Sequence, residues 1–315
     1  MTKPLQLAYL IFVHKNPSQL ARLLKRLSSQ NNIFYIYVDR KNDINLFKSA
    51  VKSIPADQII WIQNRKSIFW GDFSLSEAYL SSFQTILQHT PEPDFIITIS
   101  GQDYPIVSNK FINQWLTKHV DYSILDHSVI TEDTPHILER VQQYYLKVKR
   151  HHSIIYPHPN PDNSRKKIFN TLLRMSGRLP LPRQMPLGHQ LYFGTNWIQL
   201  KPKAARYIID FARMNPDYVK FFRSTYVPEE AFFHTVLLNA TEAERGKIYN
   251  ERLTYMQWDR PEGAYPSPIS LDEIPSLMQS AKLFARKFDT PHSDEIMDQI
   301  DICVDHDTVY QINNH

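Results

Sequence analysis

The first 120 residues alternate between short apolar runs and helically spaced leucines, and this alternation constrains the fold more than any other feature of the chain. Gln6 to Val13 reads as a buried strand, and Asn16-Pro17 then opens a helix with Leu20, Leu23, Leu24 and Leu27 on one face. Ile33 to Val38 is a second strand ending on Asp39, followed by a short helix from about Ile44 to Val51 and a third strand from Gln58 to Gln63. A helix over Ser74 to Gln88 leads to a fourth strand, Phe95 to Ile99, which closes on Ser100-Gly-Gln-Asp-Tyr-Pro105. Strands separated by helices predict a parallel sheet covered on both faces, with ligands beyond the carboxyl ends of the strands. Those ends carry His14, Asp39, Arg65, Gln102 and Asp103.

After Asp121 the pattern loosens. A helix is expected near Pro135 to Lys149, then the Pro- and His-rich turn Tyr156 to Pro161 and a basic amphipathic run from Arg165 to Arg178. Gly188 to Leu200 reads as strands, Pro202 to Met214 and Pro228 to Asn239 as helices, and Arg252 to Trp258 as a strand. A short helix from about Leu271 to Gln279, the segment Leu283 to Asp289 and a terminal helix from about Ser293 to Cys303 complete the chain. No internal repeat or low-complexity linker divides it. A single domain over 1–315 is expected, its first 120 residues forming the nucleotide-binding half and 121–315 the acceptor-binding and catalytic half.

Composition narrows the function. The single cysteine, Cys303, excludes an internal disulfide framework and a cysteine-based zinc site. None of the seven glycines falls in a GxGxxG or P-loop pattern, which argues against a classical dinucleotide or ATP cradle. No run of 18 apolar residues occurs, so a soluble protein is expected. The formal charge of +4 is unevenly placed: between Arg140 and Arg183 ten Lys or Arg face only Asp162. An anionic neighbour fits that segment: a membrane surface, a phosphate-bearing ligand or nucleic acid. Within it Ile168, Phe169, Leu172, Leu173 and Met175 fall roughly on one face, as in a core-packed helix with a basic outer side or a helix lying on an anionic membrane. No motif that reads RNA or DNA is present, so no nucleic-acid partner is expected.

The chemistry is drawn from a few positions. Pro228 suits the first residue of a helix, and Glu229 and Glu230 behind it would face the positive end of its dipole and be ionised. Such acids either complement the dipole or, at the rim of a site, act as a general base. Asp39 is a turn residue or a ribose contact, and Asp103, beside Gly101, is an Asx turn or a ligand contact. If a diphosphate binds without a metal, clustered cations must meet its charge. Arg252, Arg286 and Lys287 are the candidates, the last two set between Phe284 and Phe288. No Asp-X-Asp lies near a predicted strand end, and Asp305-His-Asp307 sits at the C-terminus, so no metal is expected.

These pieces, in order, resemble the core-2/I-branching glycosyltransferase family, which includes the peptide O-xylosyltransferases. The matching segments are Ala8 to Lys15, Tyr37-Val-Asp39, Phe69-Trp-Gly71 with Ser74-Leu75, Ser100 to Pro105, Pro228-Glu-Glu230 and Leu283 to Asp289. Each is weak alone, whereas the ordered set over residues 6 to 290 is specific. The resemblance implies a GT-A-type glycosyltransferase fold, α/β, with a Rossmann-like, mostly parallel sheet flanked by helices. It also implies inverting, metal-independent transfer of GlcNAc or xylose from a UDP-sugar to an acceptor hydroxyl. By the same resemblance Glu230 is the catalytic base, Asp39 binds uridine, Arg252 and Lys287 meet the diphosphate, and Asp103 lies near the donor. His14, Arg65, Trp70, Gly71, Gln102 and Arg286 complete the expected donor side. Arg140, Tyr144, Tyr192, Trp197 and Trp258 are the expected acceptor contacts, because sugars stack on aromatic rings and bond to charged groups. The resemblance further suggests UDP-GlcNAc or UDP-xylose as partner and a glycan, glycolipid or peptide acceptor. Animal members resembling this chain carry an N-terminal anchor and several cysteines. A bacterial cytoplasmic enzyme of surface-polysaccharide synthesis, peripheral on the inner face of the membrane, is therefore expected here. The competing readings are a metal-dependent GT-A transferase and a basic membrane- or nucleic-acid-binding module without catalysis.

Overall fold

The computed structural model describes residues 4–149, 152–156, 168, 171–172, 175, 183–257 and 266–305. Strand β1 (Leu7–Val13) is buried along its whole length. It lies between two parallel neighbours, β2 (Asn32–Val38) and β4 (Phe95–Ser100), with β3 (Ile59–Trp61) beyond β2. Helices α1 (Pro17–Leu27), α2 (Ile44–Ala50) and α3 (Ser74–His89) make the connections. After β5 (Tyr104–Pro105) and α4 (Asn109–Lys118) the chain adds β6 (Tyr122–Ile124) and β7 (Ser128–Val129).

Helix α5 (Pro135–Gln142) is followed by β8 (Tyr144–Lys149) and β9 (His152–Tyr156), an antiparallel pair. The single helix expected over Pro135 to Lys149 is thus half helix and half strand. Tyr144, Tyr145 and Val148 favour extended backbone, and cross-strand pairing to His152–Tyr156 satisfies it. Strands β10 (Tyr192–Phe193) and β11 (Gln199–Leu200) precede α6 (Pro202–Met214), α7 (Pro216–Arg223), α8 (Phe232–Leu238) and α9 (Glu242–Arg245). Strands β12 (Lys247–Tyr249) and β13 (Thr254–Met256), helix α10 (Ile274–Gln279), β14 (Phe284–Arg286) and α11 (Asp294–Asp305) follow.

Seven strands form one sheet in the order β12-β6-β11-β4-β1-β2-β3. Only β11 runs antiparallel to its neighbours. The Rossmann-like, mostly parallel sheet flanked by helices that the sequence predicts is therefore the observed architecture. Because side chains alternate across a strand, β1 feeds two cores. Leu7, Tyr9, Ile11 and Val13 pack with the α1 leucines and with Ile296, Met297 and Ile300 of α11. Ala8, Leu10 and Phe12 pack with Phe83 of α3, Ile208 of α6 and Phe232 and Phe233 around α8. Burying each α1 leucine contributes about 1.5–3 kcal/mol, which holds a helix whose expected cap is missing. Asn16 has φ 52° and no capping bond, and its amide donates instead to Asp289 Oδ1 at 2.8 Å and to the Thr290 carbonyl at 3.1 Å.

A second sheet, β13-β14-β5, brings the C-terminal segment Leu283–Asp289 onto the end of β4. The Phe288 N–H donates to the Gln102 carbonyl at 2.9 Å. Most of the basic run at 165–178 and the predicted acceptor residue Trp258 lie outside the described residues. Within that run Ile168, Leu172 and Met175 are helical and 60%, 61% and 79% exposed, so these three side chains are not core-packed.

Candidate active site

The carboxyl ends of β1, β2 and β4 meet where predicted. The Asp39 N–H donates to the Val13 carbonyl and the Gly101 N–H to the Phe12 carbonyl, each at 2.9 Å. Asp39 is buried, and its Oδ1 accepts from the Lys41 N–H at 2.9 Å, a local Asx-type turn. Its Oδ2 lies 3.3 Å from Lys41 Nζ and accepts from the Ile68 N–H at 3.4 Å. Asp39 thus serves as a turn residue and also ties the β2 end to the segment that precedes Phe69-Trp-Gly71. Arg65 caps the same end, its Nη1 donating to the Val38 carbonyl at 3.2 Å and the Asn42 carbonyl at 3.4 Å.

Positive charge accumulates beside these residues. Lys15 pairs with Asp289 at 2.6 Å, whereas Lys287 makes no salt bridge among the described residues. Burial, then Lys15 and Arg286, push the Lys287 ammonium below its ordinary value. Burial, with Lys15, Lys41 and Lys287, likewise lowers His14 despite Asp39. Like charges held this close favour an anion between them.

Arg286 and Asp103 form the floor of this end. Asp103 is fully buried: Oδ2 accepts from Trp197 Nε1 at 2.9 Å and from the Ser100 N–H, and Oδ1 lies 3.5 Å from Arg286 Nη1. The Arg286 guanidinium stands 4.0 Å over the Trp197 ring, and burial lowers its pKa. Trp197, predicted to stack on an acceptor, donates its indole N–H to Asp103 and carries the Arg286 cation on one face. Arg252 lies two residues before β13, whose Met256 stands opposite Arg286 in the register. Gln102 is buried, its Nε2 donating to the Phe288 carbonyl at 3.4 Å.

The carboxylate pair sits on the other side of residues 194–197. The expected helix from Pro228 to Asn239 is two pieces, a one-turn 3₁₀ segment, Pro228–Glu230, and then α8. Val227 enters the turn at φ 49°, an uncommon conformation for a β-branched residue, and its N–H donates to the Gly71 carbonyl at 3.1 Å. One short turn supplies little dipole, so the two acids are not ionised by it. They differ by environment instead. Glu229 is only 5% exposed, its Oε2 has no hydrogen-bond partner, and burial raises its pKa to about 8. It is therefore mostly protonated at neutral pH, contrary to the expectation that both acids are charged. Glu230 is one-third exposed, and its Oε2 accepts from Arg140 Nη1 at 2.7 Å. Burial holds its pKa above the ordinary carboxylate value, and Arg140 offsets part of that rise.

Gly194 supports this turn and was not legible as a site residue. The Gly194 N–H donates to the Glu230 carbonyl at 2.9 Å. A Cβ on Gly194 would lie 1.9 Å from the Asp126 carbonyl oxygen and 2.6 Å from His234 Nε2. Rarity of glycine in this chain was the available signal. Gly71 has φ +80°, and a Cβ there would meet the Tyr226 ring at 2.8 Å. Trp70, 48% exposed, meets Tyr226 edge-on at 5.2 Å, and Tyr145 packs against the same ring at 4.9 Å. Tyr144 lies over Tyr156, with the Arg183 guanidinium 4.6 Å from its ring. Tyr192 is half-buried, its N–H donating to Thr235 Oγ1 at 3.1 Å. Away from this end, a cavity of about 760 Å³ lies between Pro4, Asn31 and α4, near the opposite ends of β1 and β2. Among the described residues no three His, Cys, Asp or Glu side chains are grouped as a metal site requires.

Residues 194–197 therefore join the two halves of the site, Gly194 touching the Glu230 turn and Trp197 holding Asp103 under Arg286. The family model that the chain matches is Core-2/I-Branching enzyme, over residues 7–277. The chain belongs to the Core-2/I-branching enzyme family. Xylosyltransferase 1 of Rattus norvegicus is 26% identical over 322 residues, which cover 95% of this chain and 35% of that protein. Xylosyltransferase 2 of Homo sapiens is 26% identical over 324 residues, covering 95% and 33%, and the Ciona intestinalis xylosyltransferase is 24% identical over 320, covering 95% and 34%. The chain thus spans about a third of the length of these relatives. Among solved structures, a Pyrobaculum calidifontis mannosyltransferase in complex with GDP-Man and Mn2+ overlaps 44% of this chain and 39% of its own, at 8% identity and a TM-score of 0.30.

Proposed function

We propose that this member of the family is an inverting, metal-independent glycosyltransferase that moves GlcNAc or xylose from a UDP-sugar to an acceptor hydroxyl. The observation that carries the reading is the convergence of the Glu230 turn and the cationic strand ends on one bridging segment, within a chain matched to the family over residues 7–277. With Oε2 held by Arg140, Oε1 is left to take the acceptor proton. As the acceptor oxygen bonds to the anomeric carbon, the bond to the diphosphate breaks and its electron pair leaves with UDP. Lys287 and Arg252 are assigned to that developing charge, helped by Lys15 and Lys41, and Asp39 to the uridine. Both Asp103 oxygens are engaged by protein donors, which supports a positioning role for it rather than metal ligation. The acceptor is a glycan, glycolipid or peptide, reached past Trp70 and Tyr226. The exposed residues Ile168, Leu172 and Met175, at i, i+4 and i+7 in a basic stretch, support peripheral contact with an anionic membrane.

General-base catalysis is typically worth about 10²–10⁴ in rate, so Glu230→Gln is expected to lose that factor in UDP-xylose or UDP-GlcNAc turnover while binding UDP as wild type does in calorimetry. Wild-type turnover in the variant removes Glu230 from this role. Turnover that survives EDTA supports the metal-free reading, and loss restored by Mn²⁺ favours the metal-dependent one. Flotation with phosphatidylglycerol vesicles should exceed that with phosphatidylcholine; equal flotation counts against the membrane contact.

A further inference from the structure

Arg140, expected to touch the acceptor, also holds the candidate base. Its guanidinium holds Glu230 Oε2 at 2.7 Å, and its own carbonyl accepts from the Tyr226 N–H at 3.3 Å, four residues before Glu230. The contact is built from both sides of the chain crossing. The Tyr145 N–H donates to the Ser224 carbonyl at 2.7 Å. Arg183 then staples the same two segments, donating to the Gln143 carbonyl at 2.5 Å, the Phe221 carbonyl at 2.5 Å and the Ser224 carbonyl at 3.2 Å. The segment carrying Arg140 is thus fixed to the segment that leads into Glu230 by backbone as well as by charge. Other titratable groups face Glu230 without doing this: Asp126, from the β6–β7 connection, repels it, and Glu229 on its own turn has Asp72 beyond it. His234, one turn further along, is buried, and burial lowers its pKa to about 4, so it brings no charge.

We propose that Arg140 is a positioning residue for the proposed reaction: it keeps the Glu230 carboxyl ionised within a half-buried acidic setting and turns one oxygen, Oε1, toward the acceptor. Glu229 is the internal comparison. It is an adjacent acid on the same turn, without a hydrogen bond from Arg140, and burial carries it toward the neutral form. The inference rests on Glu230 being the base, and the experiment separates the two.

In the full chain, the Glu230 carboxyl is titrated by ¹³C NMR, its signal identified by its absence in Glu230→Gln. The same titration is run on Arg140→Gln and Arg140→Lys, with thermal melts to establish folding. An opposite charge at this distance typically lowers a carboxyl pKa by about 1–3, so in Arg140→Gln the Glu230 midpoint should rise by about one pH unit or more. In Arg140→Lys, which restores the charge, it should return most of the way. The acid limb of kcat/KM for UDP-sugar turnover should move in parallel, whereas a residue needed only for folding would change amplitude and leave the limb in place. A Glu230 midpoint unmoved in Arg140→Gln, or moved equally in Arg140→Lys, overturns the proposal. Should only Arg140→Lys fold, wild-type kcat in that variant overturns it, because an amine cannot reproduce the fixed guanidinium geometry. If Glu230→Gln keeps full turnover while the midpoint still shifts, the base assignment fails and the electrostatic coupling stands.

Discussion

Two adjacent acids in one turn stand in different surroundings, and the buried one makes stability depend on pH at a single residue. Glu229 has a folded-state pKa of about 8, far above the ordinary carboxylate value, because burial disfavours its charge. A group raised in this way contributes its full stability below the unfolded value and loses it as pH climbs through the folded one. Between about pH 4.5 and 8, Glu229 should therefore withdraw on the order of a few kcal/mol from the folded state. Glu229→Gln, which stays neutral, should melt near wild type at pH 5 and above it at pH 8.5. Parallel melting temperatures across that range would show that Glu229 reaches solvent or a cation. Gly194 offers a second test at this scale. With backbone oxygen 1.9 Å from any Cβ, Gly194→Ala must displace Asp126 or the Glu230 turn. Circular dichroism melts should show several degrees of destabilisation, with turnover falling by more than the unfolded fraction explains.

At the level of elements, periodicity was informative wherever a segment packs against the sheet and silent where pairing partners decide. β1, β2, β4 and the α1 leucines were legible because burial on both faces demands unbroken apolar runs and a helical stripe. The second half of the Pro135–Lys149 stretch was misread as helix, since only its partner at 152–156 makes it a strand. Likewise the break at Ala231 between the 3₁₀ turn and α8, and the helix Pro216–Arg223, have no strong local signal. For the candidate site, Glu230, Asp39 and Lys287 were singled out through ordered motifs, whereas Arg183 and Gly194 act through contacts across roughly 35 to 40 residues and carry no such motif. Arg183 carries a prediction here. Its guanidinium replaces solvent at the end of α7, lies 4.1 Å from the Phe221 ring and is held partly buried, with its pKa lowered to about 10. Arg183→Met would leave carbonyls of Gln143, Phe221 and Ser224 without that donor and should cost about 2–3 kcal/mol. Urea unfolding with an unchanged midpoint would show that water substitutes for the staple.

Across the whole molecule, the expected nucleotide-binding and acceptor-binding halves share one sheet, and β11 is the joint. It comes from the second half, yet it lies between β4 and β6 and runs against both. Thr98 on β4 is bonded through side chain and backbone alike to Ile198, which leads into β11, with its Oγ1 accepting from the Ile198 N–H at 2.9 Å. The consequence is one of dissection. A fragment ending near residue 121 would leave β4 as a bare edge, uncover the face on which Ile198, Leu200 and Ile208 pack, and invite pairing between copies. Such a fragment, made to obtain a minimal nucleotide binder, should be recovered as aggregate with no cooperative melt. A soluble, UDP-binding 1–121 would mean that the first half folds without its borrowed strand. The same joint means that any search for a smaller functional unit has to begin from the loops at the sheet's ends, because the chain cannot be cut through its middle without opening the sheet.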